Sequence, residues 1–292
     1  MKHGTRRPRI RAHWVTVQGA RTRFLQAGHG RPVLLLHGEG GVAENWCDVM
    51  TGLALRYRAM AVDLPGNGES DPIVCPAPDN DAAFLWRFLR TIGIREAALI
   101  GHSFGGAVAV RMALRRPAHV PRLVLVSPTG MGRAIHPAQV LQAVTPLGEL
   151  SLLIPGLPLG PELLVAWLSL IGAARPRCLP PTWWHSQVRA ASSPEALATA
   201  LRAQRSITGP FGQRQLLLSD LRDLTMPTLV LWGIHDRVLP YRQGLRAFRR
   251  LPDARLMLFP HVGHLLPVEA PDRLLDAVVP FLNAAPRDRR RA

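Results

Sequence analysis

The chain has 292 residues, 47% of them hydrophobic, and carries a formal net charge of +16 at pH 7. This length is enough to bury a full core, and the composition excludes an intrinsically disordered chain. Much of the basic excess is arginine at the two ends, and no helix-turn-helix, zinc-finger or RNP pattern accompanies it. We therefore expect no specific nucleic-acid partner, and only weak association with anionic surfaces.

The cysteines and the apolar segments suggest a reduced, soluble protein. Cys47, Cys75 and Cys178 are far apart, cannot all pair with one another and lack metal-ligand spacing. The basic start of the chain lacks the apolar region of a signal peptide. The apolar stretch 150–174 is interrupted by three prolines and a glutamate, so we expect no transmembrane segment. These features predict a cytoplasmic location.

Predicted strands and helices alternate along the chain. Residues 13–17 and 22–26 alternate around Gln18-Gly19-Ala20 and predict a β-hairpin. Residues 32–37 form a continuous apolar run, typical of a strand buried on both faces, and 57–64 predict another buried strand. Further strands are predicted at 97–101, 121–127, 227–233 and 254–259. Helical patterns lie at 45–55, 79–92 (with Asp79 as a candidate N-cap), 104–116, 242–250 and 271–282.

This order predicts an α/β fold with a doubly wound, mostly parallel sheet. The strand pattern stops over 131–222, where proline-interrupted helical patterns predict a helical cap inserted over the sheet. The core is then formed by 12–130 and 223–283, flanked by a basic N-terminal arm (1–11) and a basic C-terminal tail (284–292). Ligands of such folds bind at the carboxyl ends of the strands.

A Gly-x-Ser-x-Gly motif, Gly101-His102-Ser103-Phe104-Gly105, stands where a predicted strand meets a predicted helix. The glycines permit a sharp turn that lifts the Ser103 hydroxyl above the sheet edge. The motif alone is weak, because glycine and serine are common in ordinary loops.

Other strand-end loops carry the partners that a serine nucleophile needs. Asp236 and His264 follow Ser103 in a known chain order, with the histidine as base and the aspartate as the group that fixes its tautomer. Asp220 and Asp223 precede their strand and lie at the wrong end of the sheet. The backbone N–H groups of Glu39 and Phe104 are the candidate oxyanion hole.

Five ordered segments extend this pattern over residues 20–282: 37–41, 63–70, 101–106, 232–240 and 263–271. Together they resemble an α/β-hydrolase-fold serine hydrolase of the carboxylesterase or lipase type with a helical cap. The resemblance implies Ser103 as nucleophile, Asp236 as acid and His264 as base. It excludes the haloalkane dehalogenases and epoxide hydrolases of this fold, which carry aspartate where Ser103 stands.

We expect a cofactor-independent hydrolase of carboxylic esters with mostly apolar substrates, because the predicted cap is apolar. The main alternative uses the same triad to cleave a carbon–carbon bond of a meta-cleavage product; proline-type aminopeptidase or lyase chemistry ranks below it. A non-enzymatic binding or receptor module would predict a damaged triad. The oligomeric state is expected to be a monomer or a homodimer.

Several side chains near the motifs are candidate substrate contacts: His37, Gly38, His102, Trp167 and Trp183. His37 and His102 could instead brace their loops, and the tryptophans could belong to the core between cap and sheet. The Glu39 carboxylate would oppose an oxyanion, so either its side chain points away or it contacts a cationic part of the substrate. His261 and His264 lack further ligands nearby, so we expect no metal.

Overall fold

The computed structural model describes residues 8–285, and its centre is an eight-stranded sheet. The strands are β1 (Arg11–Val17), β2 (Ala20–Ala27), β3 (Arg31–Leu36), β4 (Tyr57–Val62), β5 (Ala98–His102), β6 (Leu123–Val126), β9 (Thr228–Gly233) and β10 (Ala254–Phe259). Their order in the sheet is β1-β2-β4-β3-β5-β6-β9-β10. The pairs β1–β2 and β2–β4 are antiparallel, and the five other neighbouring pairs in this order are parallel. The predicted hairpin and the six further predicted strands are confirmed, although β10 lies at the sheet edge and is only partly buried.

Helices cover both faces of this sheet. They are α1 (Cys47–Leu53), α2 (Pro78–Thr91), α3 (Phe104–Arg115), α9 (Arg242–Phe248), α10 (Leu266–Glu269) and α11 (Pro271–Asn283). Alternate residues of β3 enter separate cores: Leu34 packs in the cluster that includes α2 and α3, and Leu35 packs in the cluster that includes α1 and α11. Burial on both faces explains why this strand is a continuous apolar run.

Five helices and a short hairpin lie between β6 and β9. They are α4 (Pro137–Val144), α5 (Leu147–Ser151), α6 (Gly160–Gly172), α7 (Pro181–Ala191) and α8 (Pro194–Ile207), followed by β7 (Thr208–Gly209) and β8 (Gly212–Gln213). We call this part of the chain the inserted segment. No buried strand is predicted here, and the two-residue strands of the hairpin are too short to produce an alternating pattern.

Two local predictions differ from the structure. The N-cap of α2 is the extended residue Ala77 and not Asp79. Pro78 occupies the first helical position, so Asp79 lies inside the helix. The Asp79 carboxylate instead pairs with Arg111 at 3.2 Å and Arg115 at 3.4 Å. The predicted basic arm ends earlier than expected, since Arg11 already pairs with Gln26 in the sheet.

Residues 1–7 of the arm and 286–292 of the tail lie outside the described residues. Among residues 8–285, no helix combines the length and the apolar character needed to cross a bilayer.

Candidate active site

The turn from β5 into α3 holds Ser103 in a conformation that side chains rarely adopt, with φ of 52° and ψ of −118°. A Cβ atom at Gly101 would overlap the carbonyl oxygen of Gly105, and one at Gly105 would overlap that of His37. The close approach of strand, turn and helix therefore requires both glycines of the motif. The strained turn places the Ser103 side chain at the N-terminus of α3, facing the next loops.

Ser103, His264 and Asp236 form one hydrogen-bonded chain. The Ser103 Oγ lies 2.9 Å from His264 Nε2, and His264 Nδ1 lies 2.8 Å from Asp236 Oδ2. The carboxylate can only accept, so Nδ1 carries the imidazole proton and Nε2 accepts from the serine hydroxyl. All three residues are buried, with at most 8% of each exposed.

The Asp236 carboxylate is fixed by its own loop. Its Oδ1 accepts hydrogen bonds from the backbone N–H groups of Val238 at 2.9 Å and Leu239 at 2.8 Å, leaving Oδ2 for His264. The bonds to Oδ1 hold the carboxylate in a single orientation. The aspartate can therefore align the imidazole with little loss of entropy during reaction.

The loop that carries His264 is tied to the inserted segment. The His264 N–H donates to the Gly172 carbonyl at the end of α6 at 2.6 Å. Glu269 links the same regions: its carboxylate accepts from Gly263 N–H at 3.0 Å and from Ala174 N–H at 2.8 Å. The position of the base therefore depends on where α6 ends.

His102 lies next to Ser103 and against His264, with the ring centroids of the two histidines 4.8 Å apart. Its Nε2 donates to the His264 carbonyl oxygen at 2.8 Å. Burial holds the pKa of His102 well below its usual value, so the ring is a neutral donor. His102 lines the cavity, as predicted for a substrate contact, and it also positions the histidine loop.

His37 braces the loop beside Ser103 and is absent from the cavity wall, which favours the bracing alternative over the predicted substrate contact. Its Nδ1 donates to the Gly38 carbonyl at 2.7 Å, and its Nε2 accepts from the Leu64 N–H at 2.9 Å. Complete burial lowers its pKa. Both ring nitrogens are used inside the fold, which leaves none for a ligand.

The loop after β3 and the start of α3 offer two backbone donors beside Ser103. The loop is close to the nucleophile, since a Cβ built on Gly38 would lie 3.1 Å from the Ser103 Cβ. No hydrogen bond within the described chain uses the Glu39 N–H. Phe104 is the first residue of α3, where an N–H has no intrahelical acceptor. Both groups are therefore available to an incoming oxyanion.

Above these residues lies a cavity of about 190 Å³. Trp167 and Trp183, both predicted substrate contacts, line it together with apolar residues of α6: Leu164, Val165, Leu168 and Ile171. Among the described residues, no lysine or arginine is part of the lining. The cavity is thus suited to a substrate that is largely apolar and carries no strong negative charge.

Glu39 is the one carboxylic acid in this lining. Its side chain forms no hydrogen bond or ion pair with the described residues, and burial raises its pKa to about 8. At neutral pH the carboxyl group is therefore mostly protonated and uncharged. The repulsion between this carboxylate and an oxyanion, which the sequence analysis raised, is then absent.

Sequence reasoning missed the polar part of the cavity wall, which includes Gln139 and Gln142 of α4 and Gln204 of α8. In sequence these glutamines look like the solvent-facing residues of amphipathic helices. The interruption of the strand pattern was the only available signal in the sequence. It indicates that a segment is inserted, but it does not indicate which residues of that segment face the cavity. In the described part of the chain, no group of three or more histidine, cysteine, aspartate or glutamate residues could hold a metal ion.

The sequence profile of the alpha/beta hydrolase family matches residues 33–277. The chain belongs to this family. This hydrolase is 32% identical over 278 residues to an uncharacterized protein of Mycobacterium tuberculosis (strain ATCC 25618 / H37Rv), covering 92% of this chain and 80% of the relative. It is 31% identical over 274 residues to a 2-hydroxy-6-oxononadienedioate/2-hydroxy-6-oxononatrienedioate hydrolase of Paraburkholderia phymatum, covering 90% and 91%.

Among solved structures, the hydrolase is similar to a membrane phospholipase A described as a bacterial virulence factor. The TM-score is 0.77 and the identity 26%, with 94% of this chain and 87% of the other covered. The predicted family and the predicted mostly parallel α/β sheet are thereby confirmed.

Proposed function

We propose that this hydrolase cleaves carboxylic esters of mostly apolar substrates through an acyl-enzyme on Ser103. The observation that carries the proposal is the chain of hydrogen bonds from Asp236 through His264 to Ser103, which ends at an apolar cavity. A serine hydroxyl is a poor nucleophile without such a base, and the base needs a fixed tautomer.

In the acylation step, Ser103 Oγ attacks the ester carbonyl carbon while His264 Nε2 takes the hydroxyl proton. Asp236 stabilises the imidazolium that forms, and the developing oxyanion accepts from the N–H groups of Glu39 and Phe104. The imidazolium then donates its proton to the departing alkoxide. In deacylation His264 activates water, which releases the acid and restores Ser103.

The wall of the cavity favours an uncharged ester over an anionic substrate. The relative from Paraburkholderia phymatum bears a name that denotes a substrate with two carboxylates. A buried carboxylate is best stabilised by a cation, and the lining formed by residues 8–285 contains neither lysine nor arginine. We therefore rank ester hydrolysis above hydrolysis of a carbon–carbon bond in an anionic dienoate.

The carbon–carbon hydrolase remains the second candidate because relatives that cover most of the chain bear such names. The two candidates share Ser103 and differ in the bond that is broken. An absorbance screen of aryl esters against ring-cleavage dienoates separates them. Turnover of dienoates without turnover of esters would reverse our ranking.

The inserted segment acts as a cap in this proposal. Its helices supply most of the apolar lining, and the hydrogen bond from His264 N–H to Gly172 attaches it to the catalytic loop. A cap that excludes water would strengthen the electrostatic contacts made to the oxyanion.

The deciding experiment measures hydrolysis of p-nitrophenyl esters of rising acyl length by wild type and Ser103→Ala. We expect turnover by wild type, a chain-length optimum set by the cavity, and a loss of at least about 1000-fold in kcat in the variant. Thr51→Ala, distant in sequence and absent from the cavity wall, is a matched hydroxyl-removal control. Equal rates for wild type and Ser103→Ala would refute the serine mechanism.

A further inference from the structure

Polar atoms without partners are concentrated in the wall of the active-site cavity. Gln204 of α8 is only 2% exposed, and neither its Oε1 nor its Nε2 has a hydrogen-bond partner within residues 8–285. Gln139 Oε1, Thr129 Oγ1 and Trp183 Nε1 are likewise buried and unpartnered. All four residues line the same cavity. Flipping the Gln204 amide would not help, because both of its terminal atoms lack a partner.

Buried polar groups of native proteins are almost always paired, since an unpaired group has lost its water without replacement. Gln142 shows the usual outcome on the same wall, because its Nε2 donates to Ser151 Oγ at 3.2 Å. The unpaired state of Gln204 therefore needs an explanation. The position of Gln204 in the cavity wall fits one explanation: a ligand that fills the cavity completes the hydrogen bonds of the amide.

The unpartnered atoms specify the kind of ligand group. Thr129, Trp183 and the Gln204 Nε2 can donate, whereas Gln139 Oε1 and Gln204 Oε1 can only accept. A carboxylate could accept from Gln204 Nε2 but has no proton to donate to the Oε1 of the same amide, and the described lining holds no cation for it. An uncharged group that both donates and accepts satisfies both atoms of that amide.

We propose that Gln204 recognises a hydroxyl or carboxamide group on an otherwise apolar ester substrate. The inference rests on the proposed ester hydrolysis and adds the substrate class. The amide side chains of α4 and α8 form the polar wall, while the aliphatic side chains of α6 form the apolar one. The substrate is therefore amphipathic and neutral, with its polar group away from the apolar helix.

The first test compares p-nitrophenyl hexanoate with analogues bearing one hydroxyl at carbon 2, 3 or 6, or a terminal carboxamide. The same groups are placed on the alcohol arm of hexyl acetates, followed by pH-stat, because the arm that meets Gln204 is unknown. We expect wild type to prefer at least one polar ester over its parent by tenfold or more in kcat/KM. Gln204→Met should reduce that ratio at least tenfold.

Gln26→Met is the matched control, because this glutamine is absent from the cavity wall and already accepts a hydrogen bond from Arg58 Nε at 2.9 Å. Its ratio of polar to parent ester should stay within about threefold of the wild-type ratio. The proposal is overturned when wild type prefers no polar ester in either series, or when Gln204→Met keeps the preference. The second result would mean that enclosed water, and not substrate, pairs with the amide.

A binding measurement separates this inference from the catalytic proposal. Quenching of tryptophan fluorescence in Ser103→Ala reports binding without turnover, because Trp167 and Trp183 line the cavity. The polar ester should bind at least tenfold more tightly than its parent, and adding Gln204→Met should remove the difference. Should Ser103→Ala retain turnover, the nucleophile is misassigned, whereas the ratio of the two esters still tests Gln204.

Thermal unfolding distinguishes a substrate-binding Gln204 from a structural one, because the two roles predict opposite changes in Tm when the residue is replaced. Replacing an unpaired buried amide by the similarly long methionine removes a desolvation cost, so we expect Gln204→Met to raise Tm in the absence of substrate. A glutamine that held the inserted segment through hydrogen bonds would instead lower Tm when replaced. A lowered Tm would contradict the proposal.

Discussion

Glu39 combines a backbone donor and an acidic side chain at one position of the site. Its N–H has no partner among the described residues and is a donor that we propose for the oxyanion, while burial raises the pKa of its carboxyl group to about 8. Below that pH the carboxyl is neutral, and above it a negative charge appears beside the position where the substrate oxygen becomes negative. Like charges a few ångströms apart repel each other in a site of low dielectric.

We therefore predict that kcat/KM of wild type for a neutral p-nitrophenyl ester falls above about pH 8, by about tenfold at pH 10. Glu39→Gln keeps the shape of the residue and cannot ionise, so its profile should stay flat over the same range. Rates are corrected for spontaneous hydrolysis at each pH. An identical alkaline decline in both proteins would show that another group titrates.

The same variant tests the second role that the sequence left open for this carboxyl group. Should Glu39 bind a cationic part of the substrate, Glu39→Gln would slow hydrolysis of cationic esters and spare neutral ones. An equal effect on both kinds of ester excludes amine recognition. The two readouts are independent because the first varies pH and the second varies substrate charge.

At the scale of elements, the site depends on how closely α3 approaches the end of β3. A Cβ atom at Gly105 would overlap the carbonyl oxygens of Leu36 and His37, which belong to backbone and cannot move as a side chain can. Any relief must shift β3 or α3. Because the oxyanion loop follows β3 directly, such a shift would also displace the Glu39 N–H from its position beside Ser103.

We predict that Gly105→Ala lowers Tm by about 5–10 °C and kcat by at least about 100-fold. Gly156→Ala is the control, because a Cβ at that position meets no atom within 4 Å. It should change neither quantity measurably. Calorimetry and ester hydrolysis on the same preparations check both expectations, and a fully active Gly105→Ala would mean that the turn tolerates the overlap.

The sequence predicts the centre of the sheet well because the strands there are buried on both faces. Such strands, like β3 and β5, are continuous apolar runs that end in glycine or polar loops, and their carboxyl ends must meet at one edge. The same rule predicts that Ser103, Asp236 and His264 lie together at that edge. Each of these three residues directly follows a recognisable strand or its loop.

The inserted segment is less predictable, for a physical reason. Val165 and Trp183 of its helices pack with Val268 of α10 in a small apolar cluster that is separate from the two large cores of the sheet. Whether a glutamine such as Gln204 faces water or the cavity depends on how α8 lies on its neighbours. Sequence spacing gives the helix and leaves that rotation undetermined. For His37 the sequence left two roles open, substrate contact and loop bracing, and the structure favours bracing because backbone groups use both ring nitrogens.

On the scale of the whole molecule, the outer surface of the inserted segment is unusually apolar. Eight leucines there are each 48–68% exposed and form what we call the leucine surface: Leu141, Leu147, Leu150, Leu153, Leu157, Leu159, Leu163 and Leu170. Exposed apolar patches of this kind mark interaction sites. The chain also carries a net charge of +16, which attracts anionic lipids. An anionic membrane surface therefore matches both properties.

We predict that the protein sediments with phosphatidylglycerol vesicles at low salt, and much less with phosphatidylcholine vesicles or at 0.5 M salt, where the Debye length is only a few ångströms. Leu153→Ser combined with Leu163→Ser should weaken sedimentation at least about tenfold, because insertion of leucine side chains contributes about 1–2 kcal/mol each. Both leucines are mostly exposed, so the fold should tolerate the change. Failure to sediment at low salt would refute the prediction. In that case light scattering would test for a dimer. A dimer that the double variant does not form would assign the leucine surface to contact with a second copy of the chain.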